Sequence, residues 1–140
     1  MKIFKGYIFS RRLSDGRYVP QKIQNLTIRN TCERFNVKFI LSSTEYIFAN
    51  SYSMLQELTK NYLKEIDGIA FFSLFQLPGN KSQRNSLLKN IFKQNKEIIM
   101  CNEKIHIKSE FDLELIDNYI NISKALKYSP SKNDLLNNLK

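Results

Sequence analysis

Ile69-Ala70-Phe71-Phe72 constrains this chain more than any other stretch. It follows an Asp67-Gly68 turn signal and is apolar at every position. A strand with one wet face alternates apolar and polar residues. A continuous apolar run needs cover on both faces, as in the middle of a parallel sheet. Parallel neighbours need crossover helices, and the flanking sequence supplies them. Residues 2–9, β-branched and aromatic, predict a first strand, and Ser14-Asp15-Gly16 marks a turn in the polar run after it. Residues 20–35 predict a helix that uses Ile23, Leu26, Ile28 and Phe35 as apolar positions, with Pro20 at its start and Asn36 as a left-handed cap. Residues 37–41 read as a second strand and 42–46 as a polar loop. Residues 51–63 predict a helix on Met54, Leu55, Leu58 and Tyr62. Pro78-Gly79-Asn80 breaks the chain before a helix over 82–94, with Leu87, Leu88, Ile91 and Phe92 inward. A fourth strand over 97–101 and a short fifth over 105–107 follow. The last helix, 111–128, carries Leu115, Ile116, Tyr119, Ile122 and Leu126 at helical spacing.

This βαβαβαβ(β)α order implies an α/β fold in three layers, a mostly parallel sheet of four to five strands with helices on both faces. One domain over 1–128 with a polar tail over 129–140 is expected, and 140 residues need no disulfide or metal staple. No apolar run approaches the ~20 residues that span a membrane. The first dozen residues lack the continuous apolar core of a signal peptide, so a cytoplasmic protein is expected. Cys32 and Cys101 read as core thiols. The single His106 has no Cys or Asp partner in sequence and reads as structural. No metal or cofactor is expected, because no CxxC, GxGxxG or GxxxxGK[ST] pattern occurs.

The formal net charge is +9. Lysines are spread along the whole chain and fit a Lys/Asn/Ile compositional bias. Arginines are not spread. Five of the six (Arg11, Arg12, Arg17, Arg29 and Arg34) fall between positions 11 and 34. Arginine is the better bidentate anion ligand, so an anionic partner is one reading. Solvation, or pairing with Asp15 and Glu33, is the other.

Open α/β sheets bind ligands at the carboxyl ends of their strands. The predicted loops at those ends are 10–19, 42–50 and 73–80. They offer Ser10, Arg11, Arg12, Arg17, Ser43, Glu45, Tyr46, Ser73 and Gln76. Gln21, Gln24 and Arg29 on the first helix complete the candidate set. Ser10 and Glu45 are the candidate catalytic residues and the others candidate ligand-binding residues. Glu45 can act as a general base or accept sugar hydroxyls, or it can pair with the neighbouring arginines.

Two resemblances follow. Gly6-Tyr7-Ile8-Phe9-Ser10-Arg11 leading to a helix at Gln21, with 67–77 as third strand and loop, resembles the catalytic domain of serine recombinases over roughly residues 2–107. This implies a resolvase-like fold. The family opening Y-x-R-x-S is altered, with Phe9 in place of the arginine and Arg11 in place of the serine. The family's L-D-R-L is Leu74-Phe75-Gln76-Leu77, without the acid or the arginine. No helix-turn-helix pattern follows residue 128. Strand transfer is therefore not expected. The combination of 6–11, Val19-Pro20-Gln21, Gln24-Asn25, 41–46 and 67–78 also resembles small bacterial "sporadic carbohydrate cluster" proteins. That resemblance implies a link to surface-polysaccharide gene cassettes and no particular reaction; with the cations, hydroxyls and amides of the three loops, the first expectation is a carbohydrate-pathway protein that takes a phosphorylated sugar or nucleotide-sugar. The alternatives are a resolvase-like body that binds nucleic acid, or a non-catalytic homodimer or higher homo-oligomer joined through the last helix.

Overall fold

The structure, a computed structural model, describes residues 1–128; the tail expected over 129–140 lies outside them. It forms two compact units, Met1–Glu110 and a second that begins at Phe111. The first is a five-stranded sheet in the order β2-β1-β3-β4-β5. Its strands are β1 (Ile3–Ile8), β2 (Lys38–Thr44), β3 (Gly68–Phe71), β4 (Glu97–Met100) and β5 (Ile105–Ile107). The first four run parallel, and β5 pairs antiparallel with β4. The connecting helices are α1 (Gln21–Arg34), α2 (Ser53–Glu57) and α3 (Lys81–Lys93). Right-handed crossovers put α1 on one face and α2 with α3 on the other. All four residues of β3 are buried, as a doubly covered strand requires.

Two glycines set how closely the strands and side chains stack. A Cβ on Gly68 would come within 2.5 Å of the Glu97 carbonyl oxygen and overlap the Phe4 ring. A Cβ on Gly6 would overlap the Ser42 hydroxyl and come within 2.8 Å of the Phe39 ring. Beside Gly6 the register slips: Phe4 faces Phe39, but Gly6 faces Ser42. β2 therefore carries one extra residue there, a bulge.

The helices depart from the sequence expectation in their phase. In α1 the buried residues are Gln24, Ile28, Thr31 and Cys32, whereas Ile23 and Leu26 are about half exposed at 47% and 51%. An amide takes a core-face position because the backbone above it needs hydrogen bonds, as described below. Residues 53–65 form one helical stretch, but α2 passes into a π turn (Leu58–Tyr62) and a 3-10 turn (Leu63–Glu65). The wider π turn rotates Leu63 inward and leaves Tyr62 largely exposed. In α3 the buried set includes Arg84 with Leu88, Ile91 and Phe92; Leu87 is only partly covered. Ser42, Ser43 and Thr44 belong to β2, not to a loop. Asn36 and Asn95 close α1 and α3 at φ 58° and 60°. A 3-10 turn (Glu110–Asp112) precedes α4 (Leu113–Tyr128), which belongs to the second unit. Leu113, Ile116 and Ile120 are buried, and Leu115, Tyr119, Ile122 and Leu126 are exposed. The single apolar face expected there is two stripes.

Both thiols are buried and unpaired with each other. Burial pushes the Cys32 thiol up to about 11 and raises Cys101 further still. His106 is structural in its contacts: its Nε2 lies 2.7 Å from Glu97 Oε1, and its ring packs edge-on against Phe4 and tilted against Phe35.

Candidate functional site

In the strand order β2-β1-β3-β4 the chain leaves β1 toward one edge and β3 toward the other. Such a reversal opens a crevice at the carboxyl ends of the two strands. A cleft of about 320 Å³ lies there. Its walls include Phe9, Arg11, Arg12, Ser14, Asn50 and Tyr52, with Phe75 from the loop after β3. All three expected loops therefore meet at one place.

Beneath the cleft is an amide framework. Gln24 is 0% exposed. Its Oε1 accepts from the Phe9 amide at 2.9 Å, and its Nε2 donates to the Phe9 and Val19 carbonyls at 2.8 and 2.7 Å. Gln76 Nε2 donates to the same Oε1 at 3.3 Å, and Gln76 Oε1 accepts from the Ser73 amide. Backbone groups beyond the end of β1 have no strand partner, and burying them unpaired would be costly. The two glutamines replace the missing strand. Ser73 Oγ donates to Glu103 Oε2 at 2.7 Å, and the Leu74 amide donates to Glu103 Oε1 at 2.9 Å. Gln24, Ser73 and Gln76 are thus all buried in the scaffold. No local pattern signals Glu103, since it lies 30 residues from the hydroxyl it holds.

Glu45 is 1% exposed. Its carboxylate accepts from Tyr7 Oη (2.9 Å) and from the amides of Tyr46 (2.9 Å), Met54 (3.1 Å) and Leu55 (3.3 Å). Ser51 Oγ adds a longer contact at 3.4 Å. Two of these amides open α2, where a carboxylate is favourable. Burial, and then the Glu45 charge, push the Tyr7 hydroxyl far above its ordinary range.

Arg11 is a strut. Its guanidinium donates to the Tyr46 carbonyl at 2.7 Å and the Ser51 carbonyl at 2.8 Å, and it stacks 4.0 Å above the Phe9 ring and 5.3 Å from Tyr52. It ties the first loop to the second and leaves N–H groups over for the cleft. Arg12 is exposed, with one contact to the Gly16 carbonyl at 3.1 Å. Arg17 is paired with Asp15 at 2.6 Å. Ser10 Oγ has the Glu45 carbonyl at 3.4 Å as its partner. Of the remaining candidates, Tyr46 is exposed, next in sequence to the wall residue Ile47. Ser43 sits in β2 opposite Tyr7. Gln21 and Arg29 are exposed on α1 outside the cleft wall. Buried Arg84, which the sequence reading missed, donates to the Pro78 and Gly79 carbonyls at 3.3 Å each.

Solved structures share this architecture. The N-terminal catalytic domain of TP901-1 integrase superposes with a TM-score of 0.58 at 22% identity, covering 89% of this chain and 99% of that one. A resolvase family site-specific recombinase from Streptococcus pneumoniae gives 0.57 at 11% identity, covering 97% and 98%. The fold is resolvase-like. No family model and no curated protein matches the chain, so the carbohydrate-cluster resemblance gains no support from relatives. The altered opening motif has a structural counterpart. Phe9, where the recombinase pattern has arginine, is 2% exposed and lies beneath the Arg11 guanidinium. Among the described residues no helix is long and apolar enough to cross a membrane.

Proposed function

We propose that this chain is a resolvase-like domain that binds nucleic acid through its phosphates at the β1/β3 cleft and does not cut or rejoin strands. One observation carries the reading: two guanidiniums flank an open switch-point cleft, while Ser10, in the same loop, has a backbone carbonyl as its hydrogen-bond partner among the described residues. A serine nucleophile needs a base or a depressed pKa, and its transition state needs several positive donors. Ser10 lacks the first, and Phe9 and Gln76 stand where the recombinase pattern supplies arginines. Phosphate binding needs only the guanidiniums, the open cleft and the net charge of +9. The apolar stripe Leu115/Tyr119/Ile122/Leu126, spaced four, three and four residues apart, supports a homodimer through α4.

DNA binding followed by fluorescence anisotropy tests the reading. Affinity should fall steeply with salt, and Arg12→Ala should reduce the slope by about one unit. Plasmid relaxation and covalent-complex assays should give no product. A phosphorylated sugar or nucleotide-sugar would use the same guanidiniums. Thermal stabilisation by a nucleotide-sugar, with none by DNA, would replace this proposal with the carbohydrate one.

A further inference from the structure

The cleft carries a second chemistry that phosphate binding does not use. One loop that lines it is aromatic and apolar where it meets water. Phe48 is 71% exposed, Ile47 65% and Tyr46 52%. They sit on the segment that supplies Ile47, Ala49, Asn50 and Tyr52 to the cleft wall. This segment is not loosely tethered. Arg11 holds the carbonyls at both its ends, Tyr46 and Ser51, and the Ser51 amide closes a turn onto the Phe48 carbonyl. Glu45 fixes its entry through the Tyr46 amide. The rings are therefore displayed from a clamped loop. On the opposite wall, Phe75 is tied to the first loop by the Ser14 amide at 2.9 Å from its carbonyl, with the Arg17 guanidinium 5.8 Å from its ring centroid.

Exposed rings beside guanidiniums suit one kind of polyanion. A duplex offers phosphates and groove edges, and its base faces are already stacked. A single strand offers phosphates together with free base faces, and aromatic side chains stack on those whatever the sequence. A cleft of about 320 Å³ is at the small end of ligand-sized pockets and admits one unpaired nucleotide. We infer that the clamped loop over 46–52 is a stacking platform, and that the cleft takes single-stranded nucleic acid in preference to duplex. Arg12 takes the phosphate, and Phe48 and Tyr46 take the bases. This rests on the nucleic-acid reading above and names its substrate class.

The test measures anisotropy of the full chain with a labelled single strand of about 20 nucleotides and with its duplex, at matched salt. The single strand should bind at least ~10-fold tighter. Phe48→Ala should remove ~10-fold or more of that affinity and leave duplex binding unchanged, and Phe48→Tyr should restore it. Phe48 is exposed, so its replacement leaves the core intact; circular dichroism confirms folding. Equal or tighter binding of duplex, or a Phe48→Ala protein that binds the single strand normally, overturns the stacking inference while nucleic-acid binding stands. Binding of neither form at low salt overturns both.

Discussion

Glu45 shows how a residue's chemistry is set by what surrounds it. In sequence it is a loop carboxylate available for base catalysis or pairing. In the fold it is buried and saturated by amides and the Tyr7 hydroxyl. Removing it leaves those donors buried without an acceptor. Glu45→Ala should therefore cost about 3 kcal/mol, read as a lower urea midpoint, and should loosen the 46–52 segment. Glu97 makes a pH-dependent counterpart. It is largely buried between Lys2 and His106, hydrogen-bonded to both. Burial alone would raise its pKa, but the hydrogen bonds and charges of Lys2 and His106 outweigh that and hold it below the ordinary carboxylate range. A depressed folded pKa stabilises above the unfolded value, and that contribution is lost as pH falls through the folded value. Urea midpoints followed from neutral to acid pH should drop on the acid side, and Glu97→Gln should flatten that limb.

At the scale of elements, the strands were legible and the phases of the helices were not. Strand 69–72 needs only its own residues to declare itself, because four consecutive apolar side chains have no wet face. α1 does not work that way. Its apolar residues Ile23 and Leu26 point outward while Gln24 points in, because loop backbone beyond β1 must be hydrogen-bonded and one amide side chain serves both the N–H and the C=O of Phe9. No periodicity count can weigh that demand. The π turn after α2 also defeats a fixed 3.6-residue period. The sheet's close contacts give a sharper prediction. At Gly68 a Cβ would meet the backbone carbonyl of Glu97, which cannot swing aside as a side chain can. Gly68→Ala should lose about 3 kcal/mol. Gly6→Ala, which meets the Ser42 and Phe39 side chains, should lose less and recover part of the loss when Ser42 is also made Ala. Thermal melts of the three proteins check the order.

At the scale of the whole molecule, charge and shape act together. The net charge of +9 predicts a binding constant that falls with the logarithm of salt concentration, whichever strand form is bound. The α4 stripe predicts association. Sedimentation velocity at micromolar concentration should show a dimer, and Ile122→Lys, which places a charge in the middle of the stripe, should shift it to monomer. A clean monomer of the unaltered chain would count against the α4 interface.

By itself, the sequence determined the layer order, the parallel centre of the sheet, the arginine-rich first loop and the loss of the recombinase motif. Each is written in local patterns: a run of apolar residues, a cluster of one residue type, a motif with the wrong letters. Only the tertiary structure decided which polar residues serve the scaffold and which face the solvent. Gln24, Gln76, Ser73 and Glu45 look like ligand-binding groups until the fold brings buried backbone donors and acceptors against them. Gln24 reaches Phe9, 15 positions away, and Gln76 reaches Gln24, 52 positions away. Arg12 remains at the cleft, and the ring of Phe48 stays exposed on a loop that lines it, because no buried group claims them, which is a property of the folded surface and not of either residue.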